Sequence, residues 1–333
     1  MKRIALLGSS QSTQPGLPWD VQVANAVCAD DHVALLALVS KPGGKRRLRE
    51  GFTIGGQNGN TFARLCLHTD SIGALRAVVA AAPDGVTLRD TCTYHHIDDR
   101  RGPGAGLEVF SDMQLHEEAV GGSYPSPDAL ALALECEPDL PCITVPLERF
   151  QGATLHYQAL YKASMSSDVE RARKLADCCR LLIARGAPIA HSSGSTASHY
   201  DMLFQYRWNR DGIQEVMVPL IGDYVRCGLL QLDAPPAPGR HLPVIQAILA
   251  GNGYAAAAAI DLGCDIELAM RGFQLEGFQD LSDVARAGNA ADTVGQTVAL
   301  VTEALMRRKL GDLAAVAPES GSQNRRRAAR ADI

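Results

Sequence analysis

The sequence predicts an α/β protein: a mostly parallel, Rossmann-like open sheet with helices on both faces, readable as two α/β lobes. Three observations predict it. Ile4-Ala5-Leu6-Leu7 and residues 33–39 are short continuous apolar runs, the form that strands buried on both faces take. Between them residues 20–29 are helix-compatible, with Val23, Ala26 and Val27 on one stripe, which gives a parallel strand–helix–strand unit. Further apolar runs then alternate with helical patterns along the chain.

The elements follow in order. Residues 41–61 contain no apolar run but six glycines and five basic residues, and read as a long functional loop of the first lobe, residues 1–155. Residues 72–81 form a helix with Asp70 as its N-cap, residues 86–94 a strand, residues 128–134 a helix, and residues 143–145 a buried strand. In the second lobe, residues 156–318, Ser167 and Glu170 make a capping box for a helix whose stripe runs Val169, Ala172, Ala176, Cys179, Ile183 until Gly186 ends it. Pro188 and Ile189 lead a strand into His191, residues 216–221 form another strand, and residues 241–250 a helix. Val294, Val298, Val301 and Leu305 keep helical spacing, and residues 319–333 are expected to be a disordered tail. No internal repeat is evident.

Composition narrows the function classes. The 333 residues are 46% hydrophobic and 21% charged, enough to bury a core. Lys plus Arg number 32 against 37 Asp plus Glu, a net charge of −5, which argues against a nucleic-acid partner held by an overall basic field. No apolar run reaches 18 residues, and the opening apolar stretch is too short for a secretory signal, so a cytoplasmic protein with no membrane partner is expected. The nine cysteines are odd in number and hold no Cys-x-x-Cys pair. They read as reduced and mostly packed, Cys92 and Cys227 included, with one of Cys178 and Cys179 facing the core.

In an open sheet, ligands bind beyond the carboxyl ends of the strands, and three polar segments stand there. Ser9 and Ser10, in residues 8–13, could offer donors to an anion, facing Ser192, Ser193, Gly194 and Ser195 across one cleft. His191 and His199 flank the second segment and are read as catalytic acid–base groups. The third segment brings His95, His96, Asp98, Asp112 and His116, read as ligands of a divalent metal such as Zn or Mn. Asp112 and His116 are spaced to share a helix face, and Glu117 is placed to act on metal-bound water.

Together these readings give a metabolic hydrolase or lyase acting on a small anionic substrate, with a homo-oligomer compatible. The alternatives are an NADP-dependent oxidoreductase, with residues 8–13 on the pyrophosphate and the basic loop on the 2′-phosphate, and a non-catalytic ligand-binding protein.

Overall fold

A computed structural model describes residues 16–49, 52–54, 57–60, 62–81, 91–96, 108–114, 119–120, 125–136, 144–145, 153–189, 198–205, 208, 212–271, 278–288 and 291–316. The α/β expectation is overturned: the chain is mostly helical, and no parallel, Rossmann-like sheet is present among the described residues. The strands there pair as three two-stranded antiparallel ladders. The expected strand at residues 4–7 lies outside the described residues.

Two expected strands are helices. Residues 33–39 belong to α2 (His32–Val39), which Asp31 caps by accepting the Ala34 N–H at 3.0 Å. Its run is built from Leu and Ala, good helix formers, with Leu35, Leu38 and Val39 buried while Val33 is exposed. Residues 216–221 lie inside α9 (Ile213–Arg226), where Val216, Met217, Leu220, Ile221 and Tyr224 are buried at helical spacing. A short apolar run does not distinguish a buried strand from a buried helix, and here the helix wins both times. The expected loop 41–61 also holds structure: α3 (Gly44–Arg49) and the hairpin of β1 (Phe52–Ile54) with β2 (Gln57–Asn60).

The chain divides into two compact units, Met1–Thr196 and Ala197–Ile333. In the first, α1 (Trp19–Cys28) pairs with α2, α4 (Phe62–Thr69) with α5 (Ile72–Ala81), and α7 (Leu155–Ser164) with α8 (Val169–Ala184). Successive pairs stack, α1 on α4 and α2 on α5, and α6 (Pro127–Cys136) packs on α5 and α8. The antiparallel ladders of this unit join β1 to β2, β3 (Thr91–His96) to β4 (Glu108–Gln114), and β5 (Thr144–Val145) to β6 (Ala153–Thr154).

In the second unit, α10 (Pro243–Leu249) pairs with α11 (Gly253–Asp261), and α13 (Leu281–Gly288) with α14 (Ala291–Val316). A π-helical turn, Asp201–Gln205, packs on α10, which also meets α13; α11 packs on both α9 and α14. The short α12 (Ile266–Met270) follows α11 and is capped by Asp265, whose Oδ1 accepts the Leu268 N–H. Helix α11 has the sequence Gly-Tyr-Ala-Ala-Ala-Ala-Ala-Ile-Asp, and its small side chains let the neighbouring helices approach closely.

Two backbone junctions recur along the chain. Between the helices of the pairs α1–α2, α4–α5 and α10–α11 stands one residue in the left-handed region, Asp30 (φ 48°), Asp70 (φ 58°) and Gly251 (φ 74°), whereas α7 ends at Met165 in the right-handed region (φ −94°). In each case the next residue donates its N–H five residues back, Asp31 to Ala26, Ser71 to Cys66 and Asn252 to Ala247, at 2.8–2.9 Å. The second junction closes a helix at Gly186, Gly228 and Gly263, after which Ala187, Leu229 and Cys264 donate to Leu182, Tyr224 and Ala259. Both are Schellman-type endings, satisfying carbonyls that a helix C-terminus would leave orphaned.

These junctions correct two readings of helix starts. Asp70 is the left-handed exit of α4 rather than the cap of α5, and its exposed carboxylate lies 3.8 Å from Lys174. The bond to the first turn of α5 comes instead from Asp30, whose Oδ1 accepts the Ala74 N–H at 2.9 Å across 44 residues and ties one helix pair to the next. Helix α8 is capped by Asp168, which accepts from Glu170 N and Arg171 N, one residue beyond the expected Ser167. On the stripe of α8 both Cys178 and Cys179 are buried, whereas Cys227, expected to pack, is exposed at the end of α9, as is Cys136 at the end of Pro127–Cys136.

The Asp30 bond gives a first prediction. Asp30→Ala removes the capping acceptor and places a Cβ-bearing residue with no local hydrogen bond in the left-handed region, a loss of about 1–2 kcal/mol. Asp30→Asn, which tolerates that backbone and keeps an acceptor, should lose markedly less in urea unfolding followed by circular dichroism.

Candidate functional site

The second unit opens on a polar cluster built from its first residues. Ser198 and Asp201 form a reciprocal cap: Asp201 Oδ2 accepts from Ser198 N (2.7 Å) and Ser198 Oγ (3.0 Å), while Asp201 N donates to Ser198 Oγ (3.3 Å). The other carboxylate oxygen, Oδ1, accepts from Gln246 Nε2 on α10 at 2.9 Å. Asp201 and Gln246 are 5% and 7% exposed, so this contact joins two helical elements inside the protein. The segment is pinned on its other side by the return from α9. His199 Nε2 donates to the Leu229 carbonyl at 3.0 Å, and Gln231 N donates to the Tyr200 hydroxyl at 3.0 Å.

Beside this cluster lies a cleft of about 480 Å³ lined by Gln205, Gly239, Arg240, His241, Gln246, Leu249 and Ala250. Its walls come from the π-helical turn, the turn before α10, and α10 itself. Arg240 and His241 are exposed at its rim. Gln246 Oε1 is buried and has no hydrogen-bond partner.

His199, read from sequence as an acid–base group, is the member of the expected catalytic set that the structure describes. A carbonyl only accepts, so the bond to Leu229 puts the ring proton on Nε2. Burial pushes the pKa of His199 below the ordinary value of 6.5, against the smaller opposing effects of the Leu229 bond and the Asp201 charge. In the unfolded chain the same ring takes up a proton near pH 6.5, so stability present above that value is lost as pH falls through it toward the lower folded pKa. The urea midpoint should therefore drop between pH 7.5 and 5.5, and His199→Gln should flatten part of that drop.

The remaining expected site residues divide into two groups. Ser9, Ser10, Asp98, His116, Glu117, His191, Ser192, Ser193, Gly194 and Ser195 lie outside the described residues. His95 and His96 stand on β3, paired with Val109 and Glu108 of β4, and Asp112 is on β4. Asp112 is thus in a strand, and the helical spacing expected to bring it onto one face with His116 does not apply at its position. Among the described residues no three His, Cys, Asp or Glu side chains gather as a metal site requires.

Sequence reasoning missed Asp201, Arg240, His241 and Gln246. One signal was available for Gln246: it is the single polar residue in Pro-Val-Ile-Gln-Ala-Ile-Leu, a position that needs a buried partner. Comparison of the chain with known protein families and with characterised proteins gives no match to either.

Proposed function

We propose that this chain is a binding scaffold of helix-pair repeats whose task is to hold a partner protein. The observation that carries the reading is the recurrence of left-handed helix endings, between the helices of a pair at positions 30, 70 and 251 and after a helix at 186, 228 and 263, together with the stacking of α1–α2 on α4–α5 and of α10–α11 on α13–α14. Stacked helix pairs bury one another's apolar faces and leave a long ordered surface, the usual ground for protein recognition. The α7–α8 pair also resembles the ankyrin type of repeat. It has Thr154-Leu155-His156 at the start of its first helix, near that type's Thr-Pro-Leu-His, and Gly186 after its second. A cytoplasmic location accords with the described cysteines, all free thiols.

The test is crosslinking of the full chain in its own cells, followed by titration of each captured protein, purified, against purified chain. A partner that binds saturably with a micromolar or tighter Kd is expected. The reading is overturned if no captured protein binds the purified chain. It is equally overturned if the chain turns over hydrolase, lyase or NADP-linked substrates, with Zn or Mn supplied, and loses that turnover in His199→Ala.

A further inference from the structure

We infer that the cationic surface formed by Lys41, Lys45, Arg46 and Arg47, on α3 and the turn leading into it, docks an acidic segment of the partner protein, whose Asp and Glu carboxylates spread over these side chains. This rests on the scaffold reading and names one surface by which the scaffold holds its partner.

Charge is placed unevenly along the chain. Residues 32–69 hold six Lys or Arg and one Glu, a net +5 in a chain whose net charge is −5. Five of those six basic residues fall between positions 41 and 49. Local structure turns them outward. The Lys41 carbonyl accepts the Gly44 N–H at 2.9 Å and the Gly43 carbonyl accepts the Arg47 N–H at 3.0 Å, so the turn runs straight into α3. Gly44 and Leu48, four apart, form the inner face of that helix. Leu48 is buried, and a Cβ at Gly44 would collide with the main-chain oxygens of Val39 and Leu38 at the end of α2. With this face seated, Lys41, Lys45, Arg46 and Arg47 are all exposed.

The patch keeps its charge. Asp20 meets it at one point, 3.4 Å from Arg47, while Lys41 and Lys45 have no ion-pair partner among the described residues. Its four cations stand at separate positions along a turn and a helix, which suits several carboxylates strung along a peptide; a single phosphate group calls for cations converging on one point. A nucleic acid fits less well. One face of the Trp19 ring is taken by the Arg47 guanidinium, 4.5 Å from its centroid, and is closed to a stacking base. The net −10 left on the remainder of the chain also repels a polyanion that runs beyond the patch.

The test measures, by fluorescence anisotropy at low salt, the binding of a labelled twelve-residue peptide of alternating Glu and Gly to the full chain. Saturable binding is expected, weakened about tenfold by Lys45→Glu/Arg46→Glu and comparably when the peptide's Glu are replaced by Gln or the salt is raised to about 0.3 M. Arg226→Glu/Arg286→Glu makes the same change of net charge at two exposed arginines of the second unit and should bind as wild type does. Should Lys45→Glu/Arg46→Glu fail to fold by circular dichroism, Lys41→Glu decides in its place. The inference is overturned if the peptide does not bind, if the second-unit variant weakens binding as much, or if single-stranded RNA of the same length binds more tightly and loses that binding in Lys45→Glu/Arg46→Glu. A captured protein partner that binds Lys45→Glu/Arg46→Glu undiminished removes this surface and leaves the scaffold reading standing.

Discussion

Valine at Gly253 should lower the unfolding free energy by about 2–3 kcal/mol, and alanine by about 1–2 kcal/mol. Gly253 opens α11 where that helix meets α14. A Cβ there would stand 2.9 Å from Thr297 Cα and 3.0 Å from Leu300 Cδ1. The first of these is main chain, so relief requires moving α14 as a whole. That movement would open space along Ala255, Ala256 and Ala259, which are fully buried and have no longer side chains with which to follow. Urea unfolding of the two variants measures the effect, and a loss below about 0.5 kcal/mol for valine would show that the two helices do not approach so closely.

Asp201→Ala should cost about 2–4 kcal/mol through a different mechanism. The substitution strips an acceptor from Ser198 N, Ser198 Oγ and Gln246 Nε2 together, and Gln246, already lacking a donor for Oε1, is left unmatched at both ends of its amide. Asp201→Asn keeps one acceptor oxygen and should retain about half of the lost stability. Limited proteolysis between residues 198 and 250 should report the same ranking, since the carboxylate joins the π-helical turn to α10.

Helices with ordinary amphipathic spacing were legible in the sequence. Residues 72–81 match α5, residues 128–134 fall within Pro127–Cys136, residues 241–250 contain α10, and the stripe from Val294 to Leu305 lies within α14. Those that misled carry apolar residues beyond the face they bury. Helix α2 leaves Val33 in solvent while burying Leu35, Leu38 and Val39, and α9 exposes Pro219 within residues 216–221, so each presents an unbroken apolar run that imitates a doubly buried strand. The recurring helix ending was illegible for a separate reason. What recurs is a backbone conformation, filled by Asp at 30 and 70 but Gly at 251, with uneven intervals between the pairs.

The candidate site was half legible. Residues 191–201 stood out for their density of serine and histidine, and Ser198 and Asp201 belong to that segment. Their partner Gln246 lies 45 residues further on, and the expectation of a sheet placed the ligand at strand ends instead of against a helix pair. Arg240 offered no signal at all, being one arginine in a proline- and glycine-rich turn.

The order in which helices meet also bears on how the chain acquires its structure. Many helix contacts within each unit join elements that are consecutive in sequence, α1 with α2, α4 with α5, α7 with α8 and α10 with α11, while α11 meets α14 across two intervening helices. Loop closure is therefore inexpensive for these consecutive pairs, and local contacts of this kind favour rapid folding. During synthesis each hairpin of helices can dock on the one before it as it emerges, without waiting for a distant strand to complete a sheet. Unravelling runs by the same route in reverse, so amide-exchange protection should decline toward the ends of each stack, with α11, held between α9 and α14, among the last helices to open.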